Sequence, residues 1–581
     1  MHRTFQNLYL RHLAKASATV TALTLAVAQL IAPPHANAQV AGSIDFTTSL
    51  QAIQGFGFSD AFGEANTLQR LSAANQTTIL NLLFSTQVGA GFSIYRVGIN
   101  TDSYIEPTSP GTPSATPTYT FDGSDGGQVW LARNGQKYGL STFYADAWTA
   151  PAFMKTNNSL DNGGYLCGEI GETCGSGDWR TAYANFLLQY VNFYGGVGIP
   201  IGNLGFVNEP DLSTTYQSML FTAAQAVDFV KVLGPVIQSS GLPLNLFCCD
   251  GSKWSVQTPF TQAIMADPVA SSYVNVISSH EYGSHATSPQ PTTKPVWMTE
   301  WSSSNGTFEP RWDCGGCSGG PDGMYLANDI IQAFNAGKVN AYVYWWGTSS
   351  GAAALILTTP PTYTVAGRFY AIASFSRFVR PGAFMVSSSN SNSNLNVVAF
   401  RNTDGSKVFG VINTAATSIN TGFTVDAATA NSAAKTFLTN SANSLTETDT
   451  ASVTGQSLNL TLPARSLTMV TLPPTVVMGT VELDTTTSVA LLGDGSYEAT
   501  VTITNNGTGT AQALQLTSAL LGSATGTPLP QSVGNIGPGG FLTVFLNFPS
   551  SAGSPGSRVV AKFAGSYQGG TFGGSTRVVL P

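Results

Sequence analysis

Of 581 residues only 24 are Lys or Arg and 31 are Asp or Glu, so 9% of the chain is charged, where a soluble domain runs nearer a quarter. With 43% hydrophobic and 10% aromatic residues the chain can bury substantial cores, which excludes disorder. Gly and Pro are scattered so widely that, past the first 40 positions, no apolar run reaches the ~20 residues of a spanning helix, and the formal charge of −7 argues against nucleic acid as a partner.

In chain order, residues 1–38 carry Arg3, Arg11 and Lys15 without an acid, then an apolar stretch over 16–31, then Ala36-Asn37-Ala38. This pattern predicts a secretory signal peptide cut after Ala38, and so a secreted or periplasmic product with no membrane attachment. Cleavage would take the formal charge from −7 to −10 and remove His2, His12 and His35, leaving His280 and His285. One His-Tyr segment cannot build a multi-histidine metal site, so neither metal nor cofactor is expected, and carboxylates become the candidate acid/base groups.

From residue 50 onward, short apolar β-type runs alternate with helical patterns. The predicted strands are 53–58, 92–99, 141–148, 203–209, 245–250, 274–282, 295–301 and 341–346. Between the third and fourth, Trp179, Tyr183, Phe186, Leu187, Tyr190 and Phe193 fall on one stripe of a helix. Eight βα units predict a (β/α)8 TIM barrel over 45–375; the rival doubly wound sheet lacks its Gly-rich phosphate loop. Past residue 380 the pattern changes to antiparallel runs such as 396–401 and 407–412 joined by Asn402-Thr403-Asp404-Gly405, predicting a side β-sandwich over 376–475. After Pro473-Pro474 an all-β, immunoglobulin-like unit of accessory function is expected over 477–581, with strands at 481–492, 497–504 and 541–548.

The six cysteines lie between Cys167 and Cys317. In an exported chain they read as disulfides. Their spacing suits loop staples at Cys167/Cys174 and Cys314/Cys317, whereas adjacent Cys248 and Cys249 would point to opposite faces of a strand, and the pairing stays open. All nine tryptophans fall between Trp130 and Trp346, which assigns ligand handling to the barrel. Tyr497 and Tyr567 are the remaining ring-stacking candidates in the C-terminal unit, phenylalanines aside.

Active sites of such barrels form at the C-terminal strand ends. Those ends hold Ser59-Asp60, Asn100, Trp148, Asn208-Glu209, Asp250, His280-Glu281-Tyr282, Glu300-Trp301 and Trp345-Trp346. Glu209 closes the fourth predicted strand and Glu300 the seventh, so the two face each other across the mouth. Paired carboxylates suit glycoside hydrolysis: one must be protonated to serve the leaving oxygen, the other ionised at the sugar carbon. Arg96 is the natural cation beside Glu300, and Tyr282 can donate a hydrogen bond to it. Each motif alone is weak; their joint placement at successive strand ends carries the reading.

The segments GFGFSDAF (55–62), YRVGIN (95–100), AWTAPAFMKTN (147–157), VNEP (207–210), SSHEY (278–282), WMTEWS (297–302), YWW (344–346) and GRFYAIASFSRFVRPG (367–382) resemble glycoside hydrolase family 30, in that family's order. The first is most like its xylanase subgroup, with the endo-β-1,6-galactanase-like branch a near neighbour. The resemblance implies a retaining hydrolase with Glu209 as acid/base and Glu300 as nucleophile, and a side domain that includes residues 40–52. It implies sugar contacts for Asn208, Trp148, Tyr282 and Trp345, and His280, Trp346, Arg96 and Asn100 complete the candidate substrate-binding set. The expected partner is a polysaccharide, β-1,4-xylan first and β-1,6-galactan or β-1,6-glucan second, handled by a monomer; a non-catalytic polysaccharide-binding wall protein is the rival class. Relatives that need a glucuronic acid branch present an arginine after the first strand or the eighth. Here Phe62-Gly63-Glu64 and the Lys- and Arg-free stretch 347–367 stand there instead, leaving Lys155, Lys253 or Arg311 as substitutes.

Overall fold

The computed structural model describes residues 40–99, 108–302, 306–315, 322–474, 479–492 and 495–581. The expected signal segment 1–38, Asn100 and Cys317 lie outside these residues.

Strand β1 (Val40–Asp45) belongs to the side domain, and the eight strands that follow close a parallel barrel. They are β2 (Gly55–Ser59), β3 (Ile94–Ile99), β4 (Thr142–Ala147), β5 (Asn203–Gly205), β6 (Asn245–Gly251), β7 (Val274–His280), β8 (Val296–Glu300) and β9 (Ala341–Trp346). Closure is made by β2, which pairs with β3 on one side and β9 on the other. Ile94, Tyr144, Phe247, Val276, Trp297 and Val343 fill the interior, with Tyr144 stacked on Phe247 at 4.6 Å and Phe247 edge-on to Trp297 at 4.8 Å. Burial of each such side chain contributes about 1.5–3 kcal/mol, so the barrel is plugged by packing, and polar groups at the strand ends rest on a dry floor.

The helix Arg180–Gly196 buries Tyr183, Phe186, Leu187 and Tyr190 of the predicted stripe, while Trp179 caps its start and Phe193 is half-buried. One strand differs from expectation. β5 stops at Gly205, where a Cβ would collide with Asp146 and the Tyr144 hydroxyl so that only glycine fits, and the chain then leaves the sheet. Asn208 and Glu209 are held instead by backbone N–H donation to Ala147 (2.8 Å) and Asp250 (3.0 Å), at the ends of β4 and β6.

β1 and the strands between Phe384 and Leu472 form one ten-stranded sheet, in which β1 pairs antiparallel with Phe384–Ser388 and parallel with Ile419–Val425. Ile44, Phe46, Leu395, Phe409, Phe423, Leu458 and Val470 from both ends of this sheet share one core, so it closes as a sandwich. Arg465 of this domain pairs with Asp313 of the barrel at 2.7 Å, and its carbonyl accepts from the Trp312 indole at 2.8 Å. The C-terminal unit pairs Leu483–Leu491, Tyr497–Asn505 and Phe541–Phe548 in one antiparallel sheet, and sets Ala511–Leu521, Arg558–Tyr567 and Gly570–Val579 in another. Tyr497 is no surface platform: it is buried in the core between the sheets and donates its hydroxyl to the Gly553 carbonyl at 2.8 Å.

Cys167 is bonded to Cys174, and Cys248 to its neighbour Cys249 through a cis peptide that brings both sulfurs to one side, against the alternation expected of a strand. Cys314 is disulfide-bonded as well.

Candidate active site

A cavity of about 650 Å³ opens at the C-terminal strand ends. Glu209, Glu300, Trp148, Tyr282, Trp345 and Trp346 line it, together with Phe62, Tyr216 and Lys253. Trp148 and Trp345 lie 5.6 Å apart and Phe62 stands edge-on to Trp148 at 4.8 Å, giving an apolar wall able to stack against sugar rings.

Three residues expected to touch substrate lie behind this wall. Arg96 and His280 have no exposed surface, because both hold the carboxylates rather than face the cavity. Asn208 is 3% exposed and its carboxamide oxygen accepts from Arg96 Nη2 at 2.7 Å, so it is held by the same guanidinium as Glu300. Asn100 is not among the described residues. Of the cations proposed as substitutes, Lys155 is buried and donates to the carbonyls of Leu160 and Ser218, Arg311 is paired with Glu309, and Lys253 alone reaches the cavity.

The two glutamates meet different surroundings. Arg96 Nη1 donates to Glu300 Oε2 and the Tyr282 hydroxyl donates to Oε1 at 2.8 Å. One donor on each oxygen fits an ionised, acceptor-only carboxylate. Arg96 also pairs with Asp146 at 2.7 Å and lies 4.8 Å above the Trp148 ring, so its position is fixed from several sides. Glu209 sits in the left-handed region (φ 48°), where the turn aims its side chain at the cavity, and its Oε1 lies 3.1 Å from His280 Nδ1. Burial raises the Glu209 pKa above the usual carboxylate range; His280 opposes that rise, and the Glu300 charge adds to it.

Beneath them lies a buried layer in which Asp250 and His280, named from the strand ends, are joined by Asp146 and Gln257, which the sequence did not mark. Asp250 accepts from the hydroxyls of Tyr144, Ser278 (2.7 Å) and Thr299, and its Oδ1 is 3.4 Å from His280 Nε2. Gln257 holds the strand end that carries Asp250, bonding the backbone of Cys248, Cys249 and Gly251. Burial alone would discharge His280, yet Glu300, Asp250 and Glu209 outweigh it and lift its pKa to about 10. Asp146 is pushed up to about 7 by burial and by Asp250, with Arg96 opposing. Glu209, His280 and Glu300 place one donor atom each within 4.8 Å of one another, but Arg96 already supplies the positive charge at Glu300.

Residues 53–296 match the glycosyl hydrolase family 30 TIM-barrel domain, and residues 382–470 match that family's beta sandwich domain. The catalytic domain of GH30 xylanase C from Talaromyces cellulolyticus is 41% identical, superposes with a TM-score of 0.70, and aligns over 74% of this chain and 99% of its own. The chain belongs to glycosyl hydrolase family 30. It is therefore a glycoside hydrolase, which removes the purely binding alternative. More distant relatives include "Putative glucosylceramidase 2" of Caenorhabditis elegans, 29% identical over 63% of this chain and 75% of its own length. Endo-1,6-beta-D-glucanase neg1 of Aspergillus fumigatus is 25% identical over 64% and 81%.

Proposed function

We propose that the protein is an exported, retaining endo-β-1,4-xylanase in which Glu300 is the nucleophile and Glu209 the acid/base. The observation that carries this reading is the unequal pair: carboxylate oxygens of Glu209 and Glu300 lie within 4.8 Å, one buried beside an imidazole, the other held by a guanidinium and a phenol. Oxygens that approach this closely suit a retaining enzyme, whose carboxyl groups stand about 5–5.5 Å apart, better than an inverting one at about 6.5–9.5 Å.

In the first step Glu300 attacks the anomeric carbon while Glu209 delivers its proton to the departing oxygen. In the second, Glu209 takes a proton from water, which displaces Glu300 and returns the nucleophile as a carboxylate. Tyr282 and Arg96 hold Glu300 in place as its charge is lost and regained, and Trp148 and Trp345 bound the sugar that is cut. The likeness to the Talaromyces xylanase supports xylan as the substrate. The absence of Lys and Arg over 347–367 supports activity without a uronate branch. Disulfides at Cys167–Cys174 and Cys248–Cys249 support export through a signal peptide ending at Ala38.

The Aspergillus relative favours β-1,6-glucan as a second reading. Reducing-sugar release from xylan, glucuronoxylan, β-1,6-galactan and β-1,6-glucan separates these. The expected result is hydrolysis of plain and glucuronate-bearing xylan alike, and preference for a β-1,6 glycan would overturn the substrate.

A further inference from the structure

The cleft has two unlike walls. Phe62, Trp148, Trp345 and Trp346, at or just past the ends of β2, β4 and β9, make one of them. Arg96, which grips Glu300, lies 4.8 Å from the Trp148 ring and 5.8 Å from that of Trp345, so this wall belongs to the sugar whose anomeric carbon meets the nucleophile. The other wall is built from the turns after β5 and β6, which contribute Leu212, Tyr216, Ser252 and Lys253. In the eight-stranded ring β5 and β6 stand diametrically across from β9 and β2. Glu209 lies at the base of this second wall: the Leu212 N–H donates to its carbonyl at 2.9 Å, and Tyr216 follows in the same loop.

Tyr216 lines the cavity and is 53% exposed, on a loop that is not free to fold the ring away. The Ser218 N–H donates to the Leu160 carbonyl at 3.0 Å, the Asn162 N–H to the Thr214 carbonyl at 2.7 Å and the Leu220 N–H to the Gly164 carbonyl at 2.8 Å. Buried Lys155 adds a bond to the Ser218 carbonyl at 2.7 Å, and the segment that pins the loop runs into the Cys167–Cys174 disulfide. Asp211 ties the two turns of the wall together, accepting from the Ser252 N–H at 3.0 Å and from the Ser252 hydroxyl, which sets Lys253 beside the pinned loop. Lys253 is exposed, lines the cavity and has no carboxylate partner among the described residues. Burial, then Glu209, then Glu300 push the Tyr216 phenol up to about 12, the order expected of a ring on the acid's side of the cleft. A half-exposed ring held this firmly loses little freedom when a ligand covers it.

We propose that Tyr216 and Lys253 form the subsite for the departing half of the glycan: Tyr216 stacks on the first sugar ring beyond the cut bond, and Lys253 donates hydrogen bonds to that sugar's hydroxyls. The placement rests on the proposed role of Glu209, because the group that protonates the departing oxygen stands beside the half of the chain that leaves. With the tryptophan wall on one side of the glutamates and Tyr216 on the other, the glycan is gripped on both sides of the bond, which suits cleavage within a chain. Contacts to this remote sugar act through the first displacement. Once that half has departed, Tyr216 and Lys253 have no sugar to hold and take no part in the second.

The test is steady-state kinetics of the full chain on xylan and on β-xylobiosyl fluoride, whose leaving group is a single atom too small to reach Tyr216. Tyr216→Ala should lower kcat/KM on xylan by about tenfold or more and Lys253→Ala by about threefold, while both stay within about twofold of the wild type on the fluoride. Tyr216→Phe, which keeps the ring, should hold xylan turnover within about threefold of the wild type. Turnover of the fluoride also shows that each variant is folded, and Tyr216→Leu, which keeps bulk without a ring, stands in if the alanine variant does not fold. Equal losses on both substrates in Tyr216→Ala, or no loss on xylan, would overturn the subsite. Glu209→Gln, run beside it, separates the two assignments: a loss on the fluoride as large as on xylan removes Glu209 as the acid and with it the placement of the subsite. If the wild type prefers a β-1,6 glycan, the same comparison on that glycan and its disaccharide fluoride tests Tyr216 independently of the substrate.

Discussion

At the barrel mouth six ionisable side chains, Arg96, Asp146, Glu209, Asp250, His280 and Glu300, are buried against one another, whereas among the described residues of the C-terminal sandwich no charged side chain is buried. That sandwich is held by Tyr497, Leu514, Leu546, Phe548 and Phe563 in an apolar core with regular in-and-out alternation along its strands. Burying a charge costs several kcal/mol even after relaxation, and hydrophobic replacements of similar volume often stabilise a fold. A chain that is only 9% charged therefore places its ions at the mouth for a reason other than stability, while the sandwich follows the bland rule.

The most damaging way to break this contrast is to remove the mouth's nucleophile. Glu300→Ala should lower glycan hydrolysis below detection while near-UV circular dichroism stays native. Glu209→Gln should lower kcat on polysaccharide by about 10²–10⁴-fold, yet spare much of the first step on an aryl glycoside whose leaving group needs no proton. Equal losses on both substrates would remove Glu209 from the acid role.

Arg96→Leu strips the cation from two buried carboxylates, Glu300 and Asp146, and should cost about 3–5 kcal/mol, read as a large fall in Tm. Tyr282→Phe removes one hydrogen bond to a charged group and should cost about 1.5–3 kcal/mol in transition-state stabilisation, read in kcat/KM with little change in Tm.

The pH profile sharpens the comparison from the side of Glu209. Its raised pKa keeps the proton on the folded protein above the pH at which a free carboxyl loses it, so activity should hold through the acid side and fall as pH rises past that value. The same decline should be absent in Glu209→Gln. Deleting 479–581 should have the smallest effect, leaving kcat/KM on soluble xylan unchanged, because none of those residues lines the cleft.

The barrel is legible in the sequence because its strands are short apolar runs rich in aromatic and β-branched residues, as in IYRVGI and AYVYWW, set between 3.6-residue patterns. Strand ends then point to both glutamates, Glu300 at the end of β8 and Glu209 in the turn just past the end of β5. What lay deeper was not legible. Asp146 and Arg96 sit on neighbouring strands whose register, Gly98 opposite Asp146, exists only once the sheet has formed, so an acid in the run YADAW gives no sign of its partner. His280 and Arg96 look from the sequence like cleft residues because strand ends point both upward and inward, and only packing decides which. The disulfide between Cys248 and Cys249 defeats the alternation rule, which assumes a trans chain.

The measurement that reaches the central claim most directly is the proton NMR spectrum of the first reducing sugar released from xylan. Two displacements, by Glu300 and then by water activated by Glu209, return the β configuration, so the β-anomer signal should appear first and the α-anomer only later by mutarotation. An α-anomer present from the start would contradict the account.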